Sequence, residues 1–212
     1  PNGAGKSTLV NLLCGDLAPS AGRVVLADAD IGGLPPDRIS RLGVGRSYQK
    51  TNVFAEFTVF ENCRLAAQSR LANSMHLLRP AHRYGEVADL AREALRAVGL
   101  EARERSVVAD LSHGERRQVE IAMVLATRPR LLLLDEPLAG MGAEESRRIT
   151  GLLKSLAPRH AMLLVEHDMD AVFALADTLT VMVNGKVLES GPPAQVRASR
   201  AVQEAYLGAD SA

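Results

Sequence analysis

The chain starts with its most specific motif, Pro1-Asn2-Gly3-Ala4-Gly5-Lys6-Ser7-Thr8. These residues follow the pattern G-x-x-x-x-G-K-[ST] from its second position onward. Glycine adopts positive φ easily, so Gly3 and Gly5 allow backbone N–H groups to turn inward around an anion. Lys6 supplies a compact positive charge for phosphate oxygens, and Ser7 supplies a hydroxyl suited to Mg²⁺. The motif therefore predicts a loop that binds the phosphates of a nucleoside triphosphate.

The residues after this loop indicate a helix that begins beside the phosphates. Thr8 reaches a neighbouring phosphate oxygen, and the apolar stretch behind it ends at Gly15, a typical helix stop. A helix N-terminus directed at phosphate adds partial positive charge. An ordinary glycine-rich turn does not account for Lys-Ser-Thr at this spacing. The first glycine of the pattern would precede Pro1, so we expect the N-terminal strands of the domain to lie before it.

Composition narrows the class of protein. The 212 residues include 25 basic and 25 acidic side chains, which leaves no net charge. A balanced charge argues against nucleic acid as the main partner, and an aromatic content of 3% without Trp argues against base stacking. The two cysteines indicate neither a disulfide framework nor a metal site. No apolar run approaches the ~20 residues that cross a bilayer.

Alternating strand and helix signals favour an α/β domain. Strands are predicted at 23–26, 43–48, 130–134 and 162–165, and an Asn184-Gly185 turn joins hairpin strands at 178–183 and 186–189. Helical patterns cover 58–69, 86–98, 144–156, 168–176 and 193–207. Together with the loop, these signals predict a P-loop NTPase fold. It has a parallel core sheet, an inserted α-helical subdomain and a C-terminal β-hairpin plus helix.

Two acids follow a buried strand in Leu131-Leu132-Leu133-Leu134-Asp135-Glu136-Pro137. In open α/β sheets, ligands bind at the carboxyl ends of the strands. Asp135 fits a Mg²⁺-holding role, and Glu136 fits the group that polarises an attacking water. Taken alone, the motif is equally well explained as a strand that ends in an Asp-Glu-Pro turn. The phosphate-binding loop upstream favours the functional interpretation.

The stretch Leu111-Ser112-His113-Gly114-Glu115 opens an apolar helix and contains a Ser-x-x-Glu capping box. Because Gly114 lies in the first turn, we expect this helix end to offer free N–H groups to a phosphate. Arg116 and Arg117 are unfavourable so close to a helix N-terminus. Solvation and contact with a partner both stay open as explanations for them.

The order of the motifs changes the interpretation of Gln49 and His167. A single Gln after a strand is usually solvated, and a single His there usually serves the core or a cap. In this chain Lys6, Gln49, the Ser-x-Gly of 112–114, the Asp-Glu pair and His167 follow one another along the sequence.

This order resembles the ATP-binding-cassette (ABC) ATPases over essentially the whole chain. In that family two nucleotide-binding domains close head to tail around two ATP molecules. The resemblance implies nucleotide binding by Asn2, Gly3, Ala4, Gly5, Lys6, Ser7 and Thr8. It implies Mg²⁺ binding by Ser7, Gln49 and Asp135, and catalytic roles for Glu136, His167 and Gln49. It implies contact with the ATP of the opposite subunit by the signature segment, Ser112, His113, Gly114 and Glu115.

A finer resemblance is to the ATPases of branched-chain amino-acid importers, a group that includes urea and short-chain amide importers. The residues that carry it are the signature segment, 134–141, 165–169 and 202–208. It implies an ATP-hydrolysing motor on the cytoplasmic face of the inner or plasma membrane, attached through permease subunits. It also implies a second ATPase subunit, identical or paralogous, and indirectly a periplasmic or extracellular substrate-binding protein.

Two other functions stay open. The lipopolysaccharide-export ATPase is close in sequence, and some ABC ATPases act in translation or DNA repair. A nucleotide-gated module without turnover is disfavoured by Glu136 and His167. Two positions depart from the family pattern: His113 stands where a glycine is usual, and Gly142 stands where the D-loop often carries Asp.

The resemblance also predicts the domain organisation. We expect residues 1–212 to form a single nucleotide-binding domain, with an ATPase core at 1–53 and 127–212 and a helical subdomain at 54–126. The transmembrane partner is expected to dock beside residues near Thr51 to Glu61.

Overall fold

The structure is a computed structural model that describes residues 1–47, 52–70 and 82–209. Its helices are α1 Lys6–Cys14, α2 Pro36–Arg41, α3 Val59–Gln68, α4 His82–Ala97, α5 His113–Ala126, α6 Ala143–Leu156, α7 Met169–Leu175, α8 Pro193–Ala198 and α9 Arg200–Ala209. Its strands are β1 Val25–Leu26, β2 Ala29–Asp30, β3 Val44–Arg46, β4 Leu131–Asp135, β5 Ala161–Val165, β6 Leu179–Val183 and β7 Lys186–Gly191.

The chain divides into two compact units, Pro1–Pro36 with Val165–Ala212, and Asp37–Leu164. The chain contains a sheet of order β3-β4-β5; β3 and β4, both in the larger unit, are parallel with Val44 opposite Leu131. This parallel pairing confirms the predicted α/β class. The expected division into an ATPase core and a helical subdomain at 54–126 stays a prediction.

Helices α3, α4 and α5 pack against one another in the larger unit. Each contributes an apolar stripe at helical spacing, as predicted for α4. The fully or nearly fully buried members include Val59, Cys63, Ala67, Val87, Ala91, Leu95, Val119 and Ala122. Helix α5 also approaches β3 closely, because a Cβ on Gly45 would lie 2.5 Å from a methyl carbon of Val124. A side chain at position 45 would therefore push the helix away from the sheet.

The smaller unit contains α1, the β1-β2 and β6-β7 hairpins, and the C-terminal helices. Strands β6 and β7 are antiparallel, and their turn residues Asn184 and Gly185 both have positive φ, +49° and +76°. This is the two-residue turn that the Asn-Gly pair predicts. A small apolar core of Val181, Val196 and Val202 holds the C-terminal helices on the hairpin.

The C-terminal helix is the clearest local error of the sequence prediction. The predicted helix at 193–207 is in fact two helices that are separated at Ser199, whose backbone is extended with ψ 123°. The Ser199 hydroxyl donates to Glu189 Oε2 over 2.9 Å, which holds the chain at this break. Helix periodicity alone gave no sign of this contact with β7.

Strand β5 is less buried than its apolar sequence indicated. Of its residues only Val165 is buried, whereas Met162, Leu163 and Leu164 are half-buried. In the described sheet order β5 is the last strand and pairs on one side only, which leaves it less covered than β4, the central strand. In the parts of the chain that the structure describes, no helix combines the length and apolar character needed to cross a membrane.

Candidate nucleotide-binding site

The glycine-rich loop enters α1 through two left-handed residues, Gly3 with φ +71° and Gly5 with φ +93°. A residue with a side chain is strained in this conformation, so the loop needs glycine at both positions. Ser7 and Thr8 are exposed in the first turn of α1. The Lys6 ammonium donates to the carbonyl oxygen of Pro1 over 2.7 Å and so lies across the loop.

The turn of the C-terminal hairpin supports this loop. Gly185 donates its N–H to the carbonyl oxygen of Ala4 over 3.0 Å. A Cβ on Gly5 would lie 3.4 Å from Gly185 Cα, so the two backbones are in contact. The hairpin therefore fixes the loop from the side, a contact that no local pattern in either segment predicts.

The Asp-Glu pair occupies the end of β4. Asp135 is buried at 4% exposure, and Glu136 is half-buried with φ +47°. A left-handed backbone is uncommon for a residue other than Gly and is found in tight turns and at functional sites.

Arg117 of α5 binds this turn directly. Its guanidinium donates to the carbonyl oxygens of Pro137 at 3.1 Å, Glu136 at 3.0 Å and Asp135 at 3.4 Å, and it pairs with the Glu120 carboxylate. The proposal of a solvated or partner-binding Arg117 is wrong, because its side chain is 4% exposed and bound within the chain. Arg116 is half-buried and donates to the Ala109 carbonyl oxygen over 2.6 Å.

The signature segment forms the predicted capping box at the start of α5. The Ser112 hydroxyl accepts from the Glu115 N–H at 3.2 Å, and Glu115 Oε2 accepts from the Ser112 N–H at 2.9 Å. The N–H of Gly114 is not free, contrary to expectation. It donates to Oε1 of Glu145, in the first turn of α6, over 3.0 Å.

The two departures from the family pattern, His113 and Gly142, both lie in the larger unit. His113 is exposed, and a Cβ on Gly140 would lie 4.0 Å from His113 Cε1. Gly142 occupies the N-cap position of α6 and, having no side chain, makes no side-chain hydrogen bond to the first turn. Its carbonyl oxygen accepts from the Ser146 N–H at 2.9 Å.

His167 follows β5 as predicted. Its side chain is 67% exposed, and its backbone N–H donates to Glu166 Oε2 at 3.1 Å. The next residue, Asp168, is the N-terminal cap of α7. Gln49 lies outside the described residues. The predicted site residues thus fall into two groups, each within one unit: the loop with His167, and the signature segment with the Asp-Glu pair.

Comparison with known proteins decides the family. A family model described as ABC transporter matches residues 1–139. The chain belongs to the ABC transporter family. It is an ATP-binding domain of that family and therefore an ATPase. A second model, described as Branched-chain amino acid ATP-binding cassette transporter, matches residues 186–212 of this ABC domain.

Relatives of the ABC domain match along its whole length. It is 37% identical to the high-affinity branched-chain amino acid transport ATP-binding protein LivG of Escherichia coli K12, over 98% of the chain and 84% of LivG. It is 38% identical to the protein of the same description, BraF, of Pseudomonas aeruginosa, with the same coverage. The crystal structure of a nucleotide-free ATP-binding cassette from an ABC transporter superposes with a TM-score of 0.83 at 29% identity, over 97% of this chain and 85% of that one.

Two contacts in the ABC domain escaped the sequence analysis, that of Arg117 with the Asp-Glu turn and that of Glu145 with Gly114. A signal existed for Arg117, since Arg117 and Glu120 stand three positions apart, the spacing at which opposite charges on one helix meet. No signal existed for Glu145, because its contact with Gly114 joins two helices that are 31 positions apart.

Proposed function

We propose that this chain is the ATP-hydrolysing motor of an importer for branched-chain amino acids or related small amino acids and amides. The observation that carries the proposal is the similarity to LivG and BraF over 98% of the chain. The separate match of residues 186–212 to a branched-chain amino acid cassette model supports the same substrate class. The motor would attach to the cytoplasmic face of the membrane through permease subunits.

The nucleotide would bind along the loop of Asn2 to Thr8. The conformation of Gly3 and Gly5 supports this, because their left-handed backbone leaves the N–H groups of the loop without side chains over them. The Lys6 ammonium now donates to a carbonyl oxygen, a weaker acceptor than a phosphate, and can exchange one for the other.

Mg²⁺ binding by Ser7, Gln49 and Asp135 is part of the proposal. A hydroxyl, an amide oxygen and a carboxylate are the hard oxygen donors that Mg²⁺ takes. When bound, the ion neutralises charge on the phosphates. Of the residues that this subunit itself would supply, Glu136 would orient the attacking water and His167 would donate to the γ-phosphate. The exposure of the His167 side chain supports a role toward a ligand.

A second ATPase subunit would complete each site through Ser112, His113, Gly114 and Glu115. The capping box supports this role, because it holds the first turn of α5 in one geometry before nucleotide arrives. A phosphate accepted there benefits from the N–H groups and the dipole of the helix end.

An exposed aromatic pair supports permease docking next to α3. Of the four Phe in the chain, Phe54 and Phe57 are 53% and 42% exposed and stack with ring centres 5.5 Å apart. Asn62, which is fully buried, accepts from the Phe54 N–H at 2.8 Å and donates to the Phe54 carbonyl oxygen at 3.0 Å. The pair is therefore presented on an ordered backbone within the predicted docking region.

The test is transport by the assembled system. The full-length protein is reconstituted with its permeases and binding protein in proteoliposomes, and ATP-driven uptake of radiolabelled leucine, isoleucine and urea is measured. We expect uptake of at least one amino acid, and none with E136Q as a matched control. ATP-dependent transport in the opposite direction, or transport of none of these solutes, contradicts the proposal.

A further inference from the structure

A buried ion pair lies on α5, a helix whose other buried residues are mostly apolar. Arg117 and Glu120 are each 4% exposed and contact one another across one turn of the helix. Taking two charges out of water is costly, and a buried ion pair rarely stabilises a protein more than apolar residues of the same size. The pair therefore calls for an explanation other than stability.

The backbone that Arg117 binds supplies that explanation. Its guanidinium contacts three consecutive carbonyl oxygens, those of Asp135, Glu136 and Pro137. The middle residue has the left-handed φ of +47°. The planar, forked guanidinium directs several N–H groups at once, whereas a lysine ammonium acts as a point charge. The Nη1 of Arg117 also donates to the Glu120 carboxylate on the same helix.

We propose that Arg117 is a positioning residue that holds the turn carrying Glu136 in the conformation needed for hydrolysis. The inference rests on the proposed role of Glu136. Arg117 acts through the backbone on either side of that carboxylate, whose carbonyl oxygens its guanidinium binds. Because Ser112 caps the helix that carries Arg117, Arg117 would also join the signature segment of one proposed ATP site to the hydrolytic carboxylate of the other.

The test replaces both charges at once, since Arg117→Ala alone would remove the guanidinium from beside the buried Glu120 carboxylate. In R117M/E120M, we expect ATP affinity and KM to stay within about twofold of wild type and kcat to fall by about 10²-fold, the scale for a misplaced catalytic group. Q118L is the matched control. Gln118 is also buried on α5, but it donates to the Val98 carbonyl oxygen at 2.8 Å and not to the turn.

Adding R117M/E120M to E136Q separates positioning from general destabilisation. If Arg117 acts through Glu136, the combined variant hydrolyses ATP no more slowly than E136Q alone. A further fall of the same size, or a wild-type kcat in a cooperatively folded R117M/E120M, overturns the inference. Should the double replacement not fold, R117K keeps the charge beside Glu120 without the fork and should lower kcat in the same way; a wild-type kcat in R117K then overturns the inference.

The two hypotheses fail in different ways. Wild-type hydrolysis by E136Q contradicts the proposed role of Glu136. A slow E136Q beside an unaffected R117M/E120M contradicts only the positioning role of Arg117.

Discussion

Gly114 donates its backbone N–H to Oε1 of Glu145 over 3.0 Å, so a carboxylate of the same chain occupies a donor that is proposed for phosphate. Both acceptors are anionic oxygens, and both cannot accept from one N–H along the same direction. Under the proposed function, ATP from an opposite subunit would have to displace Glu145 from the Gly114 N–H before the signature segment could bind it.

Removing this carboxylate should favour closure of the dimer. We expect E145A, in an E136Q background that blocks hydrolysis, to lower the ATP concentration needed for dimerisation by ~5-fold. The reason is that ATP no longer has to break the Gly114–Glu145 hydrogen bond, which contributes about 1 kcal/mol. Sedimentation at graded ATP concentrations measures this. E144A is the matched control, because Glu144 lies beside Glu145 on α6 but is exposed, and its ion pair with Arg148 is a long surface contact of 3.9 Å. Weaker dimerisation of E145A would mean that Glu145 helps the closed state.

Lys6→Ala should weaken nucleotide binding itself. A hydrogen bond between charged groups contributes ~1.5–3 kcal/mol, so we expect ATP affinity to fall by about 10- to 150-fold in calorimetry. Lys154→Ala, an exposed lysine on α6, serves as the control and should bind ATP normally. Unchanged affinity in the Lys6 variant would argue against the loop as the phosphate site.

Glu136→Gln should separate binding from turnover. The amide keeps the size of the side chain but loses the charge that orients water, so we expect kcat to fall by about 10²–10⁴-fold while ATP still binds. Rapid-quench measurement of phosphate release reports the chemical step. A near-normal rate would assign water activation to another residue.

Truncation of the exposed aromatic pair should uncouple the motor from its permease. In F54A/F57A we expect ATP hydrolysis by the isolated subunit to be unchanged, while co-purification with permease and ATP-driven uptake are lost. Val187→Ala removes a comparably exposed apolar side chain on β7 and should leave both intact. Normal complex formation by F54A/F57A would place the docking surface elsewhere.

The thiol of Cys63 makes stability depend on alkaline pH. Burial raises the pKa of Cys63 to about 12 from its ordinary 9.0. The folded chain therefore keeps the thiol protonated at pH values where the unfolded chain ionises it. Its contribution to the free energy of unfolding is complete below pH 9 and is lost as pH rises from there toward 12.

Urea unfolding between pH 7 and 10.5 checks this expectation. The wild type should lose more stability over the upper part of this range than Cys63→Ala, which has no thiol at this position. For the same reason, alkylation of native Cys63 at pH 8 should be no faster than global or local unfolding. If the stabilities of the wild type and Cys63→Ala depend equally on pH, the raised pKa of Cys63 does not cause the loss of stability.

Much of the fold follows from residues that are close in sequence. The capping boxes at Thr58 and Ser112, the Asn184-Gly185 turn and the glycine stop of α1 each depend on residues within four positions, and the structure has all of them. The order of the nucleotide-binding motifs likewise requires no three-dimensional information, and the family follows from it.

Contacts between segments that are distant in sequence could not be predicted from such local patterns. The break at Ser199 depends on Glu189, the conformation of the Glu136 turn depends on Arg117, and the N–H of Gly114 depends on Glu145. In each case a polar group becomes buried or aligned only when another element packs beside it, and burial is what makes its partner obligatory. Sequence therefore predicted which residues handle ATP, and tertiary packing determined which of their hydrogen bonds are made within the chain, because those partners lie on elements distant in sequence.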